Sequence, residues 1–146
     1  MYYNNYICQK LGKIEKLKIK KNKSTELKKN EVRLKVLAIG LNYVDTLMIK
    51  GDYQYKNTLP FVPGTEACGV IIEENCNKIK LLNKKAIIFS KSGCFSEEAI
   101  INKSQLILLE KNFSSLDGAS FFSSALTAYV SLLEKAKIKK NNFFYS

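Results

Sequence analysis

Asn42, Asp45, Thr46, Tyr53, Thr65 and Glu66 gather an amide, two carboxylates and three hydroxyls into the stretch from Gly40 to Gly69. Side chains of these types can orient a bound molecule and offer hydrogen bonds to an oxygen that gains charge, chemistry that requires neither a metal nor a histidine. Histidine is absent from the 146 residues, which excludes Ser-His and Cys-His nucleophilic pairs. Cys8, Cys68, Cys76 and Cys94 form no Cys-x-x-Cys pair, so the usual zinc spacings cannot be assembled and the thiols read as buried or free. The pairs Ser114-Ser115 and Ser123-Ser124 have helix-capping or packing explanations. Gly64, Gly69 and Gly93 stand too far apart for a Gly-x-Gly-x-x-Gly phosphate turn and are explained by turns.

The elements around the stretch have to hold those polar groups in place. Tyr43, Leu47 and Met48 fall at roughly helical spacing ahead of Gly51, which can close a short helix, while Pro60 and Pro63, the only prolines, stiffen the approach to Gly64. Upstream, residues 6–8 and 14–19 suggest a hairpin around Gly12-Lys13, followed by a polar loop over 20–30. Residues 31–39 alternate, with Val32, Leu34, Val36 and Ala38 on one side, and predict a half-buried strand. Downstream, 67–73 reads as a buried strand, and 86–89, 95–101 and 106–109 as three more, with a turn at Ser92-Gly93. Residues 74–76 and 83–85 read as turns, and their asparagines, Asn75 and Asn83, tolerate positive φ better than most residues. Ser114-Ser115-Leu116-Asp117 matches a capping box, and Leu126, Tyr129, Val130 and Leu133 predict a helix over 119–134, broken near Ser123-Ser124. This is a mainly β set that suits a partly open barrel with a C-terminal helical segment.

Bulk properties narrow the classes. The length fits one domain, and 46% apolar residues argue against disorder. No apolar run reaches the ~18 residues of a membrane span, and the start lacks the features of a secretory signal, so the expected location is the cytoplasm. The 24 basic and 13 acidic residues give +11, yet Arg33 is the only arginine and the lysines are scattered, which argues against specific nucleic-acid recognition.

Asn42-x-x-Asp45-Thr46, Gly51-x-Tyr53 and Pro63-Gly64-Thr65-Glu66-x-x-Gly69-Val70, in this order, resemble the N-terminal, GroES-like domain of the zinc-independent quinone oxidoreductases in the medium-chain dehydrogenase/reductase superfamily. Gly93-Cys94-Phe95-Ser96-Glu97 resembles a further turn and strand of that family, and the resemblance extends over residues 32–146. It implies hydride transfer from NADPH to a quinone or an enone. By the same resemblance, Asn42 lies near the nicotinamide and the substrate, Tyr53 is an active-site tyrosine able to hydrogen-bond a carbonyl oxygen, and Thr127 lies against the nicotinamide. The competing readings are a loop tie for Asn42, packing for Tyr53 and a bond to its own helix backbone for Thr127. Asp45 and Glu66 are expected to hold loops through backbone N–H groups. Zinc-dependent relatives carry a histidine where Thr65 stands, so no zinc is expected. Relatives often have a second tyrosine where Leu47 stands.

The resemblance also implies a domain division, with the barrel over residues 1–113 and, over 114–146, a linker helix and the first strand, at 143–145, of a dinucleotide-binding Rossmann domain. The glycine-rich turn that should follow that strand is not in the sequence. The expected function is therefore the substrate-side portion of an NADPH-dependent quinone or enone oxidoreductase. Alone it is expected to be inactive and to bind NADP(H) weakly, its partners being a small quinone or enone and a separate Rossmann-domain polypeptide. The other reading is a non-catalytic barrel acting as a relic or an interaction module.

Overall fold

The computed structural model describes residues 1–76 and 80–138. Among these residues seven strands and three short α-helices follow in the order β1 (Tyr2–Ile7), β2 (Lys18–Lys23), β3 (Glu31–Gly40), α1 (Tyr43–Lys50), β4 (Glu66–Glu74), β5 (Lys85–Phe89), β6 (Glu98–Asn102), β7 (Leu106–Leu108), α2 (Ser115–Ser120) and α3 (Phe122–Tyr129). Five of the strands form one antiparallel sheet in the order β6-β3-β4-β5-β7, and β1 pairs with β2 as a separate ribbon. Register shifts at Arg33/Leu34 and Val36/Ala38 let β3 bend, and the sheet curls into a half-barrel, the mainly β architecture that the sequence predicts.

The alternation in β3 does what it implies: Val32 and Leu34 are fully buried and join Ala67, Ile71, Ala86, Ile88 and Cys94 in the main core. Arg33, on the opposite side, is buried as well, because it pairs with Glu73 of β4 at 2.6 Å and with Glu98 of β6. Burial pulls its guanidinium down, but the bonds and charges of Glu73 and Glu98 outweigh this and hold it above its ordinary value. A second, smaller core of Cys8, Met48, Ile49 and Phe61 sits under α1.

Several elements differ from the sequence expectation for identifiable reasons. The second ribbon strand lies at Lys18–Lys23, and Ile14–Lys16 is a single 3-10 turn, so most of the expected strand is the connection and part of the expected loop is the strand. That strand is exposed and lysine-rich on both faces, which erases the apolar periodicity that marks a buried one. The strand expected to begin at Phe95 begins at Glu98, because residues 95–97 turn to β1: Tyr6 N–H donates to Phe95 O and Glu97 N–H to Asn4 O, both at 2.9 Å. Tyr43 of α1 is 76% exposed, and the face that packs is Asp45, Met48 and Ile49. Asn83 does take positive φ, 63°, in the turn before β5.

The C-terminal helix begins at the expected cap, with Ser114 Oγ accepting from Asp117 N–H at 3.0 Å. Its break falls at Phe121, ahead of the serine pair, and after α3 the chain widens into a π-helical turn at Val130–Lys135. Leu126, Tyr129, Val130 and Leu133 keep helical spacing but remain exposed among the described residues. The strand expected at 143–145 lies outside those residues. Within them, no helix is long and apolar enough to cross a membrane.

Candidate functional site

The end of β3, the start of α1 and the start of β4 converge on one polar cluster. Asn42 precedes α1, and its backbone N–H donates to Asp45 Oδ2 at 2.9 Å, which ties the first turn of the helix. The other Asp45 oxygen accepts the Thr65 hydroxyl at 3.0 Å. The Asn42 amide nitrogen is 3.4 Å from both Thr65 Oγ1 and Glu66 Oε2. Glu66, fully buried at the first position of β4, accepts the N–H groups of Phe122 at 2.8 Å and Ser123 at 3.1 Å. These N–H groups have no partner inside the helix, so the carboxylate caps α3 and explains why the break falls at Phe121. Asp45 and Glu66 thus hold backbone, as their sequence positions suggest. Burial pushes the Asp45 carboxyl above its ordinary range despite the bonds from Asn42 and Thr65 that favour its charged form.

Beside this cluster opens a cavity of about 590 Å³, lined by Val44 and Met48 of α1, Tyr53, Tyr55, Thr65, Phe89, Lys91, Ser123 and Thr127 among others. Gly51, with φ of 85°, closes α1, and Asp52 N–H donates to Leu47 O at 2.9 Å, which turns the chain so that Tyr53 enters the wall. Phe89 meets Phe122 edge to face, with ring centroids 5.2 Å apart, and fixes the sheet side of the cavity against α3. Thr127 donates its hydroxyl to Ser123 O at 2.8 Å, so it can offer a ligand its methyl group and an acceptor, while the proton stays with the helix. The sequence-predicted Tyr53 and Thr127 therefore share one cavity. Asn42 is not among its lining residues and reaches it through Thr65.

The profile of the alcohol dehydrogenase GroES-like domain matches residues 28–111. The chain belongs to this family. A quinone oxidoreductase-like protein 2 homolog from Nematostella vectensis is 33% identical over 141 residues, which are 94% of this chain and 38% of that protein. Human quinone oxidoreductase is 29% identical over 131 residues, 88% of this chain and 40% of that one. Among solved structures, the Escherichia coli quinone oxidoreductase complexed with NADPH superimposes with a TM-score of 0.81 at 27% identity, over 91% of this chain and 41% of that chain. The chain spans about two fifths of the length of the relatives it matches.

Within this GroES-like domain, no three His, Cys, Asp or Glu side chains converge among the described residues. The cavity also contains residues that the sequence did not single out, namely Tyr55, Phe89, Lys91 and Gln105. Phe89 and Lys91 end and follow β5 and Gln105 precedes β7, so only the curl of the sheet brings them to the cavity. Tyr55, two residues after Tyr53, was the one with a visible signal.

Proposed function

We propose that this chain forms the substrate-side portion of an NADPH-dependent quinone or enone oxidoreductase, a reading carried by the cavity that places Tyr53 and Thr127 together beside Thr65. Its size and its apolar walls with a few polar groups suit a flat conjugated ring system. The nicotinamide of NADPH, when bound, supplies a hydride to the conjugated acceptor. The Tyr53 hydroxyl has no protein partner among the described residues and donates to the carbonyl oxygen that gains charge. Thr127 contributes a methyl group and an acceptor to the face where the nicotinamide lies. Asn42 orients Thr65, and the capped start of α3 holds Thr127 at its distance from Tyr53. Val44, Met48 and Phe89 supply apolar wall against which a conjugated ring can lie.

The residues that fit the nicotinamide end leave the phosphates of NADPH without a glycine-rich turn, which this sequence does not contain. We therefore assign the phosphates to a dinucleotide-binding unit outside these residues, with residues 1–113 as the barrel and 114–146 as the segment leading towards that unit. The reading involves no zinc, and it places the protein in the reducing cytoplasm, which suits four unpaired cysteines. Calorimetry and a quinone-reduction assay test it. The isolated chain is expected to bind NADPH weakly and reduce nothing, and a dinucleotide-binding unit supplied as a second polypeptide is expected to restore both. Micromolar NADPH binding by the chain alone overturns the division of labour.

A further inference from the structure

Among the described residues that line the cavity of Tyr53 and Thr127, Lys91 is the one charged side chain. Its loop is pinned on both sides: Ser90 N–H donates to Thr65 O at 2.9 Å and Gly93 N–H to Val62 O at 2.8 Å. The ammonium group rests over the Tyr55 ring, 4.8 Å from its centroid, which orients the charge without neutralising it. Among the described residues ion pairs are made by Arg33 alone, so no carboxylate satisfies Lys91. Lys91 is itself exposed at the mouth of this cavity, so it attracts a ligand anion as a partly screened charge.

We propose that this cavity selects conjugated carbonyl compounds that also bear a carboxylate, with the carboxylate paired to Lys91 and the carbonyl directed to Tyr53. Gln105, which also lines the cavity, can donate a second hydrogen bond to the same anion. The inference rests on the proposed function, to which it adds a substrate class. A neutral quinone fits the same walls but gains nothing from Lys91. The same charge could instead meet a phosphate of the cofactor, and the test separates the two sources.

The test is a nuclear magnetic resonance titration of the full chain at low ionic strength, read at the amides of Tyr53 and Thr127. The probes are a 4-oxo-2-enoic acid, its methyl ester and nicotinamide mononucleotide. The acid is expected to bind roughly 1.5- to fivefold more tightly than the ester, the range for an exposed ion pair, and the preference shrinks as salt is added. Lys91→Met is expected to abolish the preference and Lys91→Arg to keep it, with ester affinity unchanged in both. Equal affinity for acid and ester in the wild-type chain overturns the inference and leaves the cavity assignment standing. So does a Lys91→Met variant that weakens the mononucleotide while the acid-to-ester ratio stays, which gives the charge to a cofactor phosphate. If neither acid nor ester shifts the cavity amides, the proposed function fails and the inference fails with it.

Discussion

Replacing Glu66 by alanine removes the acceptor of two backbone N–H groups, those of Phe122 at 2.8 Å and Ser123 at 3.1 Å, from a site with no solvent exposure. Water cannot readily substitute, and each bond to the carboxylate contributes about 1.5–3 kcal/mol, so the combined loss is expected at about 3–5 kcal/mol. Glu66→Gln keeps one carbonyl oxygen for the same two donors and is expected to lose about 1–2 kcal/mol. Urea denaturation gives the totals, and hydrogen exchange locates them. Protection should fall first at Phe122 and Ser123 and then along α3, where Ala125 N–H bonds to Phe121 O, before β3 or β4 responds. A loss below about 1 kcal/mol for Glu66→Ala, or a uniform fall in protection, would refute the capping role and with it the argument for where Thr127 is held.

Three further outcomes follow from the same geometry. Gly64→Ala puts a methyl group at φ of 94°, 2.3 Å from Phe95 Cδ1 and 2.7 Å from Phe95 N, and a thermal melt is expected to show at least ~2 kcal/mol of destabilisation; a neutral result would mean that the turn relaxes freely. The folded Asp45 carboxyl titrates above its ordinary value of 3.8, so the unfolded chain ionises first, and the contribution of this group is full in acid and falls as pH rises through the raised value. Asp45→Asn removes that slope, and a wild-type chain that gains stability relative to the variant between about pH 3 and about pH 6 would contradict the sign. Burial raises the thiols of Cys8 and Cys68, and that of Cys94 to about 12, so alkylation of the native chain near neutral pH should modify the half-buried Cys76 first; early labelling of Cys94 by mass spectrometry would count against the packing.

What the sequence disclosed was mostly local. The alternation in β3 and the cap at Ser114 depend on neighbours a few residues away, and each lies where its pattern puts it. The ribbon strand Lys18–Lys23 was hidden because its lysines face solvent on both sides and leave no periodicity. The break at Phe121 was hidden for a different reason: its cause, Glu66, is 56 residues away from Phe122 in the chain and acts only after β4 is in place. The site divides in the same way. The family resemblance pointed to Tyr53 and Thr127 but could not show that one cavity holds both, nor that Lys91 and Phe89 complete it, because those contacts exist only once the sheet has curled.

The most direct measurement of the central claim is the turnover of Tyr53→Phe in the assembly complemented with a dinucleotide-binding polypeptide, alongside its affinity for NADPH. If the Tyr53 hydroxyl donates to the oxygen that gains charge, turnover of a quinone or enone should fall by about 100- to 1000-fold, the effect of losing one such donor, while the NADPH dissociation constant stays within about twofold. Unchanged turnover, or a fall matched by an equal loss of cofactor affinity, would contradict the account.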